Sequence, residues 1–177
     1  MTLPSRYAWL EQEGAPRMLV EALKLYGTKE QPGTGDNPEI MAWAKEVGLR
    51  NAYSADSVPW CGLFMAVVAK RAGKDVPKDP LWALNWRNFG TPVSRPMLGD
   101  VMAMSRNGGG HVTLYVFETA THYYGLGGNQ NDAVNITSFP KTREIYFRRP
   151  KYNVQPSNVR VVTLNGEGLP TTAAKEA

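Results

Sequence analysis

Trp60-Cys-Gly-Leu-Phe-Met-Ala-Val-Val-Ala-Lys70 is the stretch that decides the architecture. It is apolar all round until Lys70 and Arg71, which predicts a buried helix, and Gly73 supplies its stop. Asn51 to Pro59 ahead of it is polar and turn-like. Further upstream, Tyr7, Leu10, Met18, Leu19, Ala22, Leu23 and Tyr26 recur at helical spacing, in a run split by Gly14 and Pro16. Gly27 to Asp36 reads as a loop. Asn37-Pro38 then opens a helix, with Asn37 as N-cap and Pro38 at the first position, and this helix ends near Gly48.

From Gly99 the period changes to two. Val101 to Met104, His111 to Phe117, Tyr123 to Leu126, Val134 to Ser138 and Glu144 to Arg148 read as short strands separated by Gly, Asn, Asp and Pro. Helices first and strands second predict an α+β fold, N-terminal helices packed on a C-terminal antiparallel sheet. Residues 1–155 are expected to form a single domain. Residues 156–177 are expected to be a partly disordered tail, since the end from Gly166 lacks apolar content.

Composition narrows the chemistry. With 177 residues the chain suits one domain, and with one Cys it has no intrachain disulfide. Two His and one Cys show no metal-ligand spacing, so no metal and no cofactor are expected. The net charge of +4 comes from scattered Lys and Arg with no basic block, which predicts no nucleic-acid partner. No apolar run reaches the length of a membrane span, and the first residues lack the apolar core of a signal peptide. The expectation is a monomer made in a cytoplasm, without stable membrane insertion.

A thiol nucleophile can only be Cys61, with His111 or His122 as imidazole partner. Cys61 opens the buried helix, where unpaired N–H groups and the dipole favour a thiolate and can hold an oxyanion. A lone Cys is also commonly an inert buried side chain. If 111–118 and 122–129 form a hairpin, paired numbers sum to about 240. His111 then faces Asn129, about 5 Å away at Cβ. His122 falls about 30 Å off along the strand. The glycines before His111 (Gly108, Gly109, Gly110) and before Asn129 (Gly127, Gly128) would allow close approach of a substrate backbone. A water-capped strand end for His111 and an ordinary turn for Gly127 to Asp132 are the alternatives.

Val58-Pro-Trp-Cys-Gly-Leu-Phe64, Leu98-Gly-Asp-Val-Met102, Gly110-His-Val-Thr-Leu-Tyr-Val116 and Leu126-Gly-Gly-Asn-Gln130 occur in that order. Together they resemble the CHAP family of cysteine, histidine-dependent amidohydrolases/peptidases, related to NlpC-type cell-wall peptidases. Tyr7 to Leu10 and Trp43 to Glu46 resemble a compact phage subgroup of it. The resemblance spans about residues 5–150.

It implies a papain-like fold that hydrolyses an amide of bacterial peptidoglycan. The enzyme would be an N-acetylmuramoyl-L-alanine amidase or a peptidoglycan endopeptidase. Cys61 would be nucleophile, His111 general base and Asn129 orienter. Many members carry Glu two positions before the Asn; Gly127 stands there. Asp56 matches an acidic position ahead of the nucleophile and would shape the loop or the oxyanion site. Trp60, Gly110 and Gln130 are further expected contacts to substrate or oxyanion. Trp82, Trp86 and Tyr115 belong to a groove or to the core, and Asp100 to a structural turn.

A phage or prophage endolysin, reaching the periplasm or wall after holin-type release, is the biological setting expected. An antibacterial effector, a virion-associated wall hydrolase and an inactive binding module on the same fold are the alternatives.

Overall fold

A computed structural model of the protein describes residues 3–106, 108–165 and 168–171. The N-terminal part is helical: a 3-10 helix over Ser5–Gln12, then α1 (Arg17–Lys24), α2 (Pro38–Glu46) and α3 (Cys61–Arg71). Gly14 to Pro16 breaks the first run in two, as its composition predicts. The cap of α2 also forms as read: Asn37 Oδ1 accepts from the backbone N–H of Glu39 at 2.7 Å and of Ile40 at 3.4 Å.

A second 3-10 helix, Ala83–Asn88, leads into the strands β1 (Thr91–Pro92), β2 (Val101–Arg106), β3 (Gly109–Glu118), β4 (His122–Gly127), β5 (Asn135–Pro140) and β6 (Ile145–Arg149). Their order across the sheet is β1-β6-β2-β3-β4-β5, with every neighbouring pair antiparallel. The chain is therefore an α+β protein. Two short strands, β7 (Thr163–Leu164) and β8 (Pro170–Thr171), close it, β7 pairing in parallel with the end of β3.

Every residue of α3 from Cys61 to Ala69 is buried. Alternation along the strands splits the sheet into two faces. Val101, Ala103, Val112, Leu114, Val116 and Leu126 join the main core with the helices. Met102, Met104, Tyr115 and Phe139 form a second, smaller cluster on the other face. Close approach fixes α3 endwise. A Cβ on Gly62 would lie 2.3 Å from Pro80 O, so the loop before the second 3-10 helix rests directly on the first turn of α3.

The expected domain end at residue 155 is too early. Val159 and Val162 are buried, and Arg160 pairs with Glu13 at 2.7 Å. Asn158 donates to Glu13 Oε2 at 2.7 Å and to Ala15 O. The segment has few apolar residues but places two of them in the core, where burying each is worth about 1.5–3 kcal/mol. Of the expected disordered stretch from Gly166, residues 166–167 and 172–177 lie outside the described residues, while Pro170–Thr171 is a strand.

Candidate active site

Cys61 is 2% exposed at the first position of α3. Trp60, immediately before it, anchors that end of the helix. Its indole is fully buried, packs on Trp43 at 6.0 Å between ring centroids and donates to Glu30 Oε2 at 3.2 Å. Trp60 is thus a packing residue and not a groove wall. A Cβ on Gly128 would come within 2.6 Å of Phe64 Cβ and 2.7 Å of the Trp60 ring, so the chain after β4 lies flat against α3.

The register of β3 explains what the thiol meets. Tyr115 exchanges backbone hydrogen bonds with the β2 side, its N–H donating to Asp100 O and its C=O accepting from Gly99 N–H. Alternation turns the N–H groups of Leu114 and Val112 toward β4. Leu114 still pairs with Leu126, but β4 ends at Gly127, one residue short of a partner for Val112. The Val112 backbone, together with the N–H groups of Gly62 and Cys61, favours the anion of the Cys61 thiol. Arg106 acts in the same sense through its charge. Burial outweighs all of them, and the thiol is pushed above its ordinary pKa. The lowering expected from the helix N-terminus is present but overruled.

His111, 5% exposed at the start of β3, places Nε2 3.0 Å from Gln130 Oε1. The Gln130 amide has one sensible orientation. Its Nε2 donates to Asn135 O at 2.7 Å, to Asn135 Oδ1 and Gly125 O at 3.2 Å, which leaves Oε1 as an acceptor toward the imidazole. His111 Nε2 therefore carries the proton in the neutral ring, and Nδ1 is the basic nitrogen. Asn135 Nδ2 returns a bond to Gln130 O at 2.6 Å, and Thr137 Oγ1 donates to Asn135 Oδ1 at 2.8 Å. The Phe139 ring covers His111 at 5.6 Å. Burial pushes the imidazole pKa down to about 4, opposed by the Gln130 bond and assisted by the charges of Arg106 and Arg143. At neutral pH both groups are uncharged.

The residue that holds the imidazole is Gln130, where hairpin arithmetic points to Asn129. The register itself is as counted, since Leu114 and Leu126 sum to 240. The strand simply stops at Gly127. Asn129, Asn131 and Asp132 all take left-handed backbone angles, at φ of 55°, 51° and 57°, and the chain curls so that the next side chain folds back under the strand end. Gly127 leaves room for it, because a Cβ there would sit 2.8 Å from Gln130 Oε1. Asn129 lines the cleft beside His111 instead.

The other expected positions separate cleanly. Asp56 is buried and accepts from the backbone N–H groups of Gln31 and Asn37, both at 2.8 Å, and so ties two loops together. Gly110 makes room for Leu84 and Ala83. Trp86 and Tyr115 are core, and Trp82 is exposed. Asp100 is a buried turn residue bound to Arg149 and the Met97 N–H. His122 contacts Thr121 at the far end of β4. Asn135, Thr137, Phe139, Arg106 and Arg143 belong to the site but carry no signal in the sequence beyond residue type. Among the described residues no cluster of His, Cys, Asp or Glu could hold a metal ion, and no helix is long and apolar enough to cross a membrane.

No family model, no curated protein and no solved structure matches the chain.

Proposed function

We propose that the protein is a thiol amidohydrolase of papain-like type that cleaves an amide of bacterial peptidoglycan. One observation carries the reading: the single thiol lies against the backbone of β3 at Val112, whose neighbour in the chain, His111, is a buried imidazole with its tautomer fixed by Gln130. A nucleophile, a base and an orienter for that base then lie on adjoining elements.

With both groups neutral at rest, activation is by general-base transfer. His111 Nδ1 accepts the Cys61 proton as Sγ attacks the amide carbonyl. The free N–H groups of Cys61 and Gly62, in the first turn of α3, stabilise the oxyanion. The imidazolium gives its proton to the leaving amine, the C–N bond breaks, and a thioester remains on Cys61. Water, deprotonated by His111, attacks the thioester and releases the carboxylic acid and the thiol. Gln130 keeps the ring in register throughout, the part Asn plays in Cys-His-Asn sites.

Purified protein should clear permeabilised Gram-negative cells or isolated sacculi. Cys61→Ala and His111→Ala should abolish that clearing, and mass spectrometry of the muropeptides should identify the bond. Full clearing by Cys61→Ala would falsify the mechanism. Host lysis as an endolysin is the setting we favour; an adjacent immunity gene would instead mark an antibacterial effector. The burial of Cys61 favours a second reading, a binding module with an inert thiol. Wild-type protein that binds sacculi and releases no fragment would establish it.

A further inference from the structure

Arg106 and Arg143 stand in the same cleft as His111 and, among the described residues, form no ion pair with a carboxylate. The cleft has a volume of about 220 Å³, with Asn129, Thr137 and Phe139 on its walls. Arg143 is tied to the end of β2 there. Its Nε donates to Ser105 O at 3.1 Å, its Nη2 bonds to the same oxygen, and the guanidinium lies over the Phe139 ring at 5.9 Å. Phe139 in turn covers His111, so the cation is tied to the imidazole through one aromatic ring.

What sets these two apart is their shared place in the cleft beside His111, since several other arginines, Arg6, Arg17, Arg50, Arg87 and Arg148, also form no ion pair among the described residues. Arg71, Arg95, Arg149 and Arg160 each pair with a carboxylate, on Glu46, Glu118, Asp100 and Glu13. Among the described residues neither Arg106 nor Arg143 has an ion-pair partner. The two like charges also disfavour each other: Arg106, together with burial, holds Arg143 below its ordinary pKa. Two cations lining one cleft, with no ion-pair partner among the described residues, suit an incoming anion, since guanidinium groups hold carboxylates through forked, charge-assisted hydrogen bonds. The amide of Asn129 and the hydroxyl of Thr137 offer neutral donors and acceptors beside it, and Phe139 supplies an apolar wall, as a peptide segment needs.

We propose that this cleft is a carboxylate subsite, in which Arg106 and Arg143 hold a free carboxylate of an acidic peptide close to the amide presented to Cys61. This deepens the hydrolase reading and rests on it for the identity of the substrate. The subsite would make the protein selective for stem peptides whose acidic residue is free over those in which it is amidated.

The test is a titration of the full chain with N-acetyl-alanyl-glutamate, its fully amidated counterpart and inorganic phosphate. The arginine Nε–H and His111 ring signals are followed by NMR. The acidic peptide should shift both sets of signals and bind at least tenfold more tightly than the amidated one. Arg106→Gln and Arg143→Gln should each weaken it about tenfold, and Arg143→Lys less. Equal affinity for the two peptides, or undiminished binding in the double Gln variant, overturns the proposal. So does a response to phosphate with none to the acidic peptide. The peptide comparison in wild-type protein needs no variant to fold. It also needs no turnover: a chain that clears no sacculi but discriminates the peptides loses the hydrolase reading and keeps the subsite.

Discussion

His111 Nε2 and Gln130 Oε1 lie 3.0 Å apart, and the Gln130 amide is locked in place by Asn135 and Gly125. The bond assigns orientation of the imidazole to Gln130. Removing a partner from a buried polar group costs about 1–3 kcal/mol, equivalent to about 5- to 150-fold in rate if the loss is felt in the transition state. Under the proposed mechanism, Gln130→Ala should lower kcat within that range, while Asn129→Ala should leave kcat nearly intact. A larger kcat loss in Asn129→Ala than in Gln130→Ala would reverse the assignment. Gln130→Glu adds a second discriminator: a carboxylate beside the ring should move the acid limb of the pH–rate profile upward.

The buried imidazole makes stability depend on pH. Its folded pKa of about 4 is below the ordinary 6.5. Above that ordinary value both states are neutral and there is no penalty. As pH falls from 6.5 toward 4 the unfolded chain takes up a proton that the folded chain refuses, so stability declines with decreasing pH. The full effect, reached below about pH 4, is roughly 3 kcal/mol by the conversion of pKa to free energy. His111→Gln should show a correspondingly smaller fall in urea midpoint between pH 7 and pH 4. An identical fall in both proteins would show that His111 contributes nothing to it.

Gly62→Ala tests the contact next to Cys61. Inside a helix the change should stabilise by about 0.8–1 kcal/mol on propensity alone. Here the added Cβ would lie 2.3 Å from Pro80 O and 2.7 Å from Leu81 O, both backbone atoms. Overpacking typically costs about 1–3 kcal/mol, so the net sign is destabilising. The expected readout is a lower melting temperature together with faster alkylation of Cys61, as the loop over it is displaced. A rise in melting temperature would mean the loop yields freely.

Asp56 is a structural residue and should behave as one. Asp56→Ala removes the buried acceptor of two part-buried hydrogen bonds from backbone N–H groups. At about 1.5–3 kcal/mol for a hydrogen bond to a charged group, it should be among the more destabilising single changes. Asp56→Asn retains an acceptor and should recover much of the loss. If either variant remains fully stable but is inactive, Asp56 takes part in the chemistry.

Much of the framework was legible in the sequence because it is written in local terms. The apolar run of α3, the Asn37-Pro38 start of α2 and the period-two strands each reflect short-range preference plus burial. The 3-10 helix at Ala83–Asn88 and the segment Val159 to Leu164 were not legible. They have little periodicity of their own and are held by distant groups, Gly110 in one case and Glu13 and Tyr115 in the other. The site divides in the same way. Cys61 and His111 follow from residue scarcity and register. Gln130 replaces Asn129 because register arithmetic assumes a strand that continues, whereas the left-handed turn at Asn129 ends it.

The Glu13–Arg160 pair joins residues 147 positions apart, and the parallel bridge of Thr163 to Glu118 adds another late tie. Neither can form until residues 160–163 meet parts of the chain that precede them by 147 and 45 positions. Such long-range closure slows folding relative to contacts between near neighbours. A chain cut before Arg160 would lack both ties, and with them the joint between its first helical turn and its central strand.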